Sequence, residues 1–133
     1  MPELPEVETV RRGLQKLIVG KKIASVSFDW QKSFPNDKKQ VDKFLIGSKI
    51  ISVRRRAKVL IIDLNSGYSL IAHLKMTGQM VFRDGTKKFG AGHPGDSLIK
   101  DLPDKSTRVI FEFLGGGKLF FNDQRKFGWV KLL

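Results

Sequence analysis

The stretch KIISVRRRAKVLIIDLNSGYSLIAHL, residues 49–74, decides the fold. Its apolar residues recur with a period close to two, as in extended chain with one face toward a core. It divides into strands at 49–56, 58–64 and 68–74, and Asn65-Ser66-Gly67 between the last two reads as a short hairpin loop. Downstream, strands are expected at 79–82, 108–114 and 118–121, the last two joined across Gly115-Gly116-Gly117, with a final strand at 129–133. Residues 83–106 hold much of the glycine and proline and read as a long irregular loop. Upstream, Val7, Val10, Leu14, Leu17 and Ile18 share one face of a helix that Gly20 stops. Glu3, Glu6 and Glu8 fall early in it and Arg11, Arg12 and Lys16 late, which suits the helix dipole. Ala24, Val26, Phe28 and Trp30 alternate as a half-buried strand would, and 34–39 reads as a polar loop. A short helix comes next, with Val41, Phe44 and Leu45 inward and Gly47 at its end. The expected fold is mainly β with flanking helices (α+β): an antiparallel β-sandwich or flattened pseudobarrel, capped by the N-terminal helix and the short second helix.

Composition bounds the function. At 133 residues the chain is one domain by length, and its ten phenylalanines and two tryptophans supply a core. Lys and Arg number 25 against 13 Asp and Glu, a net charge of +12, which favours a polyanionic partner and points to nucleic acid. There is no cysteine, which excludes a disulfide framework and a cysteine-based zinc site within these residues. No apolar run reaches membrane-spanning length, and charges interrupt the first twenty residues where a secretory leader would lie. A cytoplasmic protein is therefore expected, with neither a membrane nor an obligate protein partner. Alternation puts Arg54, Arg56 and Lys58 on one face, an arrangement suited to a row of phosphates.

The opening MPELPEVETVRRGL raises a chemical question. Removal of Met1 would turn Pro2 into a terminal secondary amine, part of it unprotonated at neutral pH because such amines have a pKa near ~8. Attack of that nitrogen on a sugar C1′ or an aldehyde gives an iminium ion, an electron sink that eases elimination at the neighbouring carbon. A proton carrier is needed beside it, and Glu3 is the nearest candidate. The competing reading is structural: Pro2 and Pro5 shape a helix start and the glutamates serve its dipole. Spacing alone leaves both open.

The whole stretch closely resembles the amino terminus of the formamidopyrimidine-DNA glycosylases, bifunctional repair enzymes for oxidised purines. RRRAKVLIIDL at 54–64, AHLKMTGQM at 72–80 and NDQRKFGWV at 122–130 match the same family in the same order. The related endonuclease VIII branch shares the Pro-Glu start, but the LPEVETVRRGL continuation is similar to the purine-specific branch. The resemblance implies roles residue by residue. Pro2 would displace the damaged base and hold the sugar as a Schiff base, with β,δ-elimination nicking the abasic site. Glu3 would shuttle protons, and Glu6 would be the second acidic residue supporting the helix start. Lys58 would contact phosphate beside the reacting nucleotide. Met76, Arg125 and Phe127 would fill the void left by an extruded nucleotide, and His73 and Lys126 would meet phosphate, with Arg54 and Arg56 alongside.

Such a filling set has a physical reason: extrusion leaves an unstacked gap and an orphaned base, which a thioether, a ring and a guanidinium can occupy. Read without the family, Met76 is a loop methionine, Phe127 a core aromatic and His73 a packed strand histidine. Two departures stand out. Gln124-Arg125-Lys126-Phe127-Gly128 replaces the family's Pro-Arg-Arg-Phe-Gly, so Lys126 lacks the bidentate fork of arginine. Residues 105–109 lack histidines often found in the family, so a phosphate contact there is expected from Arg108 or is absent. The resemblance also implies a second half, with a helix–two-turn–helix element and a zinc finger, that residues 1–133 do not contain. The expected partner is double-stranded DNA bearing a damaged purine or an abasic site, with no cofactor held by this domain. The alternatives are a nucleic-acid-binding β domain without chemistry and an endonuclease VIII-type pyrimidine glycosylase. Without the second half, weak DNA binding and little glycosylase activity are expected.

Overall fold

The computed structural model describes residues 3–133. Pro2, the expected nucleophile, lies outside the described residues. Helix α1 (Leu4–Ile18) buries Val7, Val10, Leu14 and Ile18, with Leu17 partly buried beside them. Strands β1 (Ile23–Phe28), β7 (Thr107–Phe113), β8 (Lys118–Asp123), β5 (Gly78–Asp84) and β6 (Lys87–Gly92) form a five-stranded sheet in that order. Strands β2 (Ile50–Arg56), β3 (Val59–Leu64), β4 (Ser69–His73) and β9 (Trp129–Leu132) form a second sheet of four. All pairings are antiparallel, and both sheets and α1 contribute to one apolar cluster. Each sheet keeps two outer strands, so the sandwich is realised and the pseudobarrel is not.

The sheets are joined at one corner by backbone bonds. Gly20 N–H donates to Ile50 O at 2.8 Å, Ile50 N–H to Lys21 O at 2.9 Å, and Ile23 N–H to Ser48 O at 3.0 Å. Helix α1 covers the outer edge of β2, where Gln15 Oε1 accepts the Val53 N–H at 2.8 Å. Helix α2 (Lys38–Phe44) starts at Asp37, whose carboxylate accepts the Gln40 N–H at 2.8 Å. Asn36 covers the edge of β9 in the same way, exchanging hydrogen bonds of 2.7 and 2.6 Å with Leu132 O and N–H. Such side-chain pairing blunts strand edges.

Three expectations need correction. Residues 83–106 are not a structureless loop, because β6 pairs with β5 from Asp84↔Lys87 to Gln79↔Gly92. The KKFGAG sequence of β6 shows no alternation, since its pairing rests on backbone and on close approach. Gly92 has φ +118°, and a Cβ there would lie 2.5 Å from Gly78 O. The segment after β6 is tied down by Gln79, which donates to His93 O at 2.7 Å, and by Asp104, which accepts from the Ser106 N–H at 2.8 Å.

Residues 34–39 are not purely polar in role, because Phe34 is fully buried between Phe28 and Phe111, with ring centroids 5.7 and 6.1 Å away. The first strand ends at Phe28, so Trp30 lies outside the alternation, and a bulge between Ile23 and Ser25 shifts its register.

Helix α1 meets β6 where Gly13 faces Phe89, and a Cβ at Gly13 would lie 2.1 Å from the Phe89 Cζ. Gly13→Ala should therefore destabilise the domain by about 1–3 kcal/mol, read as a lower denaturant midpoint. Phe89→Leu in the same chain should recover part of that loss.

Candidate nucleic-acid interface

The site is built from the start of α1 and from the loops at one end of the four-stranded sheet. At the helix start the Glu6 carboxylate accepts the Glu3 backbone N–H at 2.9 Å, which fixes the first turn. The Glu3 side chain, mostly exposed, meets Lys58, whose Nζ donates to Glu3 Oε2 at 3.2 Å. Lys58 sits in the tight turn between β2 and β3, beside Ala57 at φ +53°. The turn breaks the alternation that would have aligned Lys58 with Arg54 and Arg56, so Lys58 points to the helix.

The arginines of β2 divide accordingly. Arg55 donates to Glu8 of α1 at 2.8 Å, and Glu8 also accepts from Arg11 and Arg12, each with a contact of 2.9 Å. Hydrogen bonds from Arg11, Arg55 and Arg12 hold the Glu8 carboxyl far below the usual carboxylate range. On the opposite face Arg54 makes a fork to Asp63, at 2.8 and 3.2 Å. The Arg54 hydrogen bond, aided by those from Ser69 and Ser52 and opposed by burial, lowers Asp63 to about 2. Arg56 is exposed at the end of the strand.

Val59 pairs with His73, so the Lys58 turn and the end of β4 lie side by side. His73 Nδ1 accepts the Lys75 N–H at 3.1 Å, which leaves Nε2 as the donor of the neutral ring. Its pKa is pushed down, first by burial and then by the charges of Lys75 and Lys58. The loop after β4 carries Met76, and the loop from β8 to β9 carries Arg125, Lys126 and Phe127. Met76 and Phe127 are 38% and 51% exposed, large apolar groups left in solvent, and Arg125 stacks on the Phe127 ring at 4.9 Å. That exposure removes the core-aromatic reading of Phe127.

Asp123 organises both loops. It is fully buried and accepts from the Thr77 hydroxyl, from the Arg125 N–H at 3.2 Å and from the Gly128 N–H at 2.5 Å. Thr77 Oγ1 in turn accepts the Arg125 N–H at 3.2 Å. Gly128 is required there, because a Cβ would sit 2.7 Å from His73 O and 2.8 Å from the Phe121 ring. Neither Asp123 nor Thr77 stands out in the sequence. The available signal was a lone acidic residue at the end of an apolar strand, directly before a basic loop.

Arg108 requires correction. It is 5% exposed, and its guanidinium donates to Ser106 O at 3.1 Å, Asp123 O at 3.0 Å, Asp29 at 2.6 Å and Lys105 O. With its donors engaged inside the fold it supports the Asp123 corner and presents nothing to a phosphate.

Fold and site together define a two-sheet β domain with a basic, aromatic end beside a helix start. Its sequence matches the family model for the formamidopyrimidine-DNA glycosylase N-terminal domain over residues 1–130. A formamidopyrimidine-DNA glycosylase of Ligilactobacillus salivarius is 37% identical over 133 residues, covering 100% of this chain and 43% of the relative. One from Cereibacter sphaeroides is 38% identical over 137 residues, covering 100% of the chain and 45% of the relative. Among solved structures, the Lactococcus lactis Fpg bound to DNA containing N7-benzyl-Fapy-dG is 34% identical with a TM-score of 0.80, over 99% of this chain and 44% of that one. The same enzyme in complex with DNA containing an abasic site gives a TM-score of 0.79 at 34% identity, over 98% and 43%. The chain belongs to the formamidopyrimidine-DNA glycosylase family, through its N-terminal domain, and spans less than half the length of these relatives.

Asp123→Ala should lower stability by about 1–3 kcal/mol, since it orphans buried donors. Backbone amide signals of residues 75–77 and 125–128 should broaden together. His73 should titrate below 6.5 in an NMR pH series, and Lys75→Met should raise its midpoint by removing one repelling charge.

Proposed function

We propose that this chain is the catalytic amino-terminal domain of a base excision repair enzyme that removes oxidised purines from double-stranded DNA and nicks the abasic site. The observation that carries the proposal is the convergence, at one end of the molecule, of the Glu3–Lys58 pair with the loops bearing Met76, Arg125 and Phe127. The Lactococcus lactis complexes with Fapy-dG and abasic DNA support the substrate class.

In this reading the unblocked Pro2 nitrogen attacks C1′, the bond from C1′ to the base nitrogen breaks, and the base leaves with a proton. The ring oxygen then takes a proton as the sugar opens, leaving an iminium between Pro2 and C1′. Loss of a C2′ proton expels the 3′ phosphate, and a second elimination expels the 5′ phosphate. Glu3, at the start of α1, carries protons to and from the sugar. Lys58, within 3.2 Å of the Glu3 carboxylate, holds the phosphate next to the reacting nucleotide. Met76 and Phe127 wedge the step apart, and Arg125 bonds the orphaned base. His73, Lys126, Arg54 and Arg56 lie along the flanking backbone. The Arg54 fork to Asp63 must open for that contact, which makes it the weakest of the set. The chemistry belongs in the cytoplasm, where bacterial DNA lies, and the further domains of the longer relatives would complete the DNA cleft.

Chain with Pro2 as its first residue should become covalently linked to a single-stranded oligonucleotide carrying an abasic site when borohydride is present. The same chain with an acetylated terminus should give no adduct, because the lone pair is withdrawn. Glu3→Gln should slow strand nicking about 100-fold or more while leaving binding near wild type. Absence of any adduct with the unblocked chain would leave only the DNA-binding alternative.

A further inference from the structure

Met76, Lys126 and Phe127 also line a groove of about 560 Å³ whose tryptophans have no part in the roles above. Its walls include Trp30, Lys32, Lys75, Lys126, Phe127 and Trp129, and among the described residues no acidic side chain lines it. Both tryptophans of the chain are therefore in one groove, each half-buried. Lys32 and Lys126 stand over the Trp30 ring, with Nζ 5.8 and 5.5 Å from its centroid, and Lys131 stands 4.4 Å from that of Trp129. Lys75 and Lys126 have φ of +54° and +60°, a conformation costly for residues with a Cβ, so the loops hold these lysines in unusual positions.

We propose that this groove is a subsite for one unpaired nucleotide of a DNA strand, its base stacked on an indole and its phosphate held by Lys75 and Lys126. The inference rests on the DNA-repair reading above and adds a second contact to it. Flat aromatic faces beside cations are what a nucleotide offers partners for: the base has a π-face and the backbone a charge. The volume suits a ligand of that size. Paired bases keep their faces covered by neighbours in the stack, so only an unstacked nucleotide can reach an indole. A wedge at Met76 and Phe127 generates such a nucleotide next to the groove, and a nick frees a strand end there.

Because the chain has no tryptophan elsewhere, its intrinsic emission reports on this groove. Titration with a short oligothymidylate should quench that emission to saturation, whereas inorganic polyphosphate should bind with little quenching. Trp30→Leu should weaken oligothymidylate binding about tenfold, with the thermal transition checked alongside. Lys126→Gly, which suits the left-handed backbone and removes the cation, should keep the fold and reduce the salt dependence of binding by about one phosphate contact. Wild-type affinity in both variants, or equal quenching by polyphosphate, would overturn the proposal. Trapping on the abasic oligonucleotide is measured in parallel. Trapping that persists while the quenching arm fails removes only the subsite, and failed trapping with intact quenching removes only the catalytic reading.

Discussion

The basic end of this domain depends on how two chain crossings are held together. The segment after β4 leaves the four-stranded sheet to enter the five-stranded one at β5, and the segment after β8 makes the reverse journey to β9. Both crossings occur at the same end, and each carries exposed groups that interact with solvent or ligand rather than with the core. The buried Asp123 carboxylate ties them by accepting donors from both, from Thr77 on one side and from Arg125 and Gly128 on the other. A buried anion with several N–H and O–H partners is worth keeping only when all are satisfied, which makes the two loops a single cooperative unit. Arg108 adds its guanidinium to the Asp123 carbonyl behind them.

Charge is distributed along the same logic. A net charge of +12 repels itself, and the acidic residues relieve this where arginine meets scaffold. Glu8 gathers Arg11, Arg12 and Arg55, Asp63 takes Arg54, and Asp29 takes Arg108. Arginine suits that work because its planar fork makes paired bonds to carboxylates. The groove beside the loops carries lysines at 32, 75 and 126, next to Arg125 on the Phe127 ring. A compact, well-hydrated ammonium binds phosphate without demanding one geometry, and such contacts weaken with salt.

Much of this was legible in the sequence because side-chain periodicity reports on burial. The face of α1 and strand β4 follow it closely, whereas a bulge in β2 and burial of Leu60, Ile61 and Ile62 in β3 depart from strict alternation. The failures share a different cause. Strand β6 pairs through backbone and glycine contact, Phe34 is a single plug with no periodic neighbours, and the fate of Arg108 is set by acceptors distant in sequence. The site divides in the same way. Glu3, Lys58, Met76 and Phe127 could be singled out from contiguous motifs, whereas Asp123 and Thr77 act across 46 positions and Trp30 joins the groove only through the fold.

Backbone conformation explains why the exposed groups point where they do. Among the described residues the non-glycine positions with positive φ are Ala57, Lys75 and Lys126, and each adjoins or carries a group of the working end. A residue in this region costs about 1–2 kcal/mol relative to the ordinary helical one, so three together offset a sizeable part of a small domain's stability. Such a conformation turns the chain sharply within one residue. At Ala57 the turn sends Lys58 toward Glu3 rather than along the arginine face, and at Lys75 and Lys126 it precedes Met76 and Phe127, which emerge from their loops into solvent. Holding these three residues strained requires the rigid support that Asp123, Gly128 and the sheet ends provide, so the stability of the core is what keeps Met76 and Phe127 exposed.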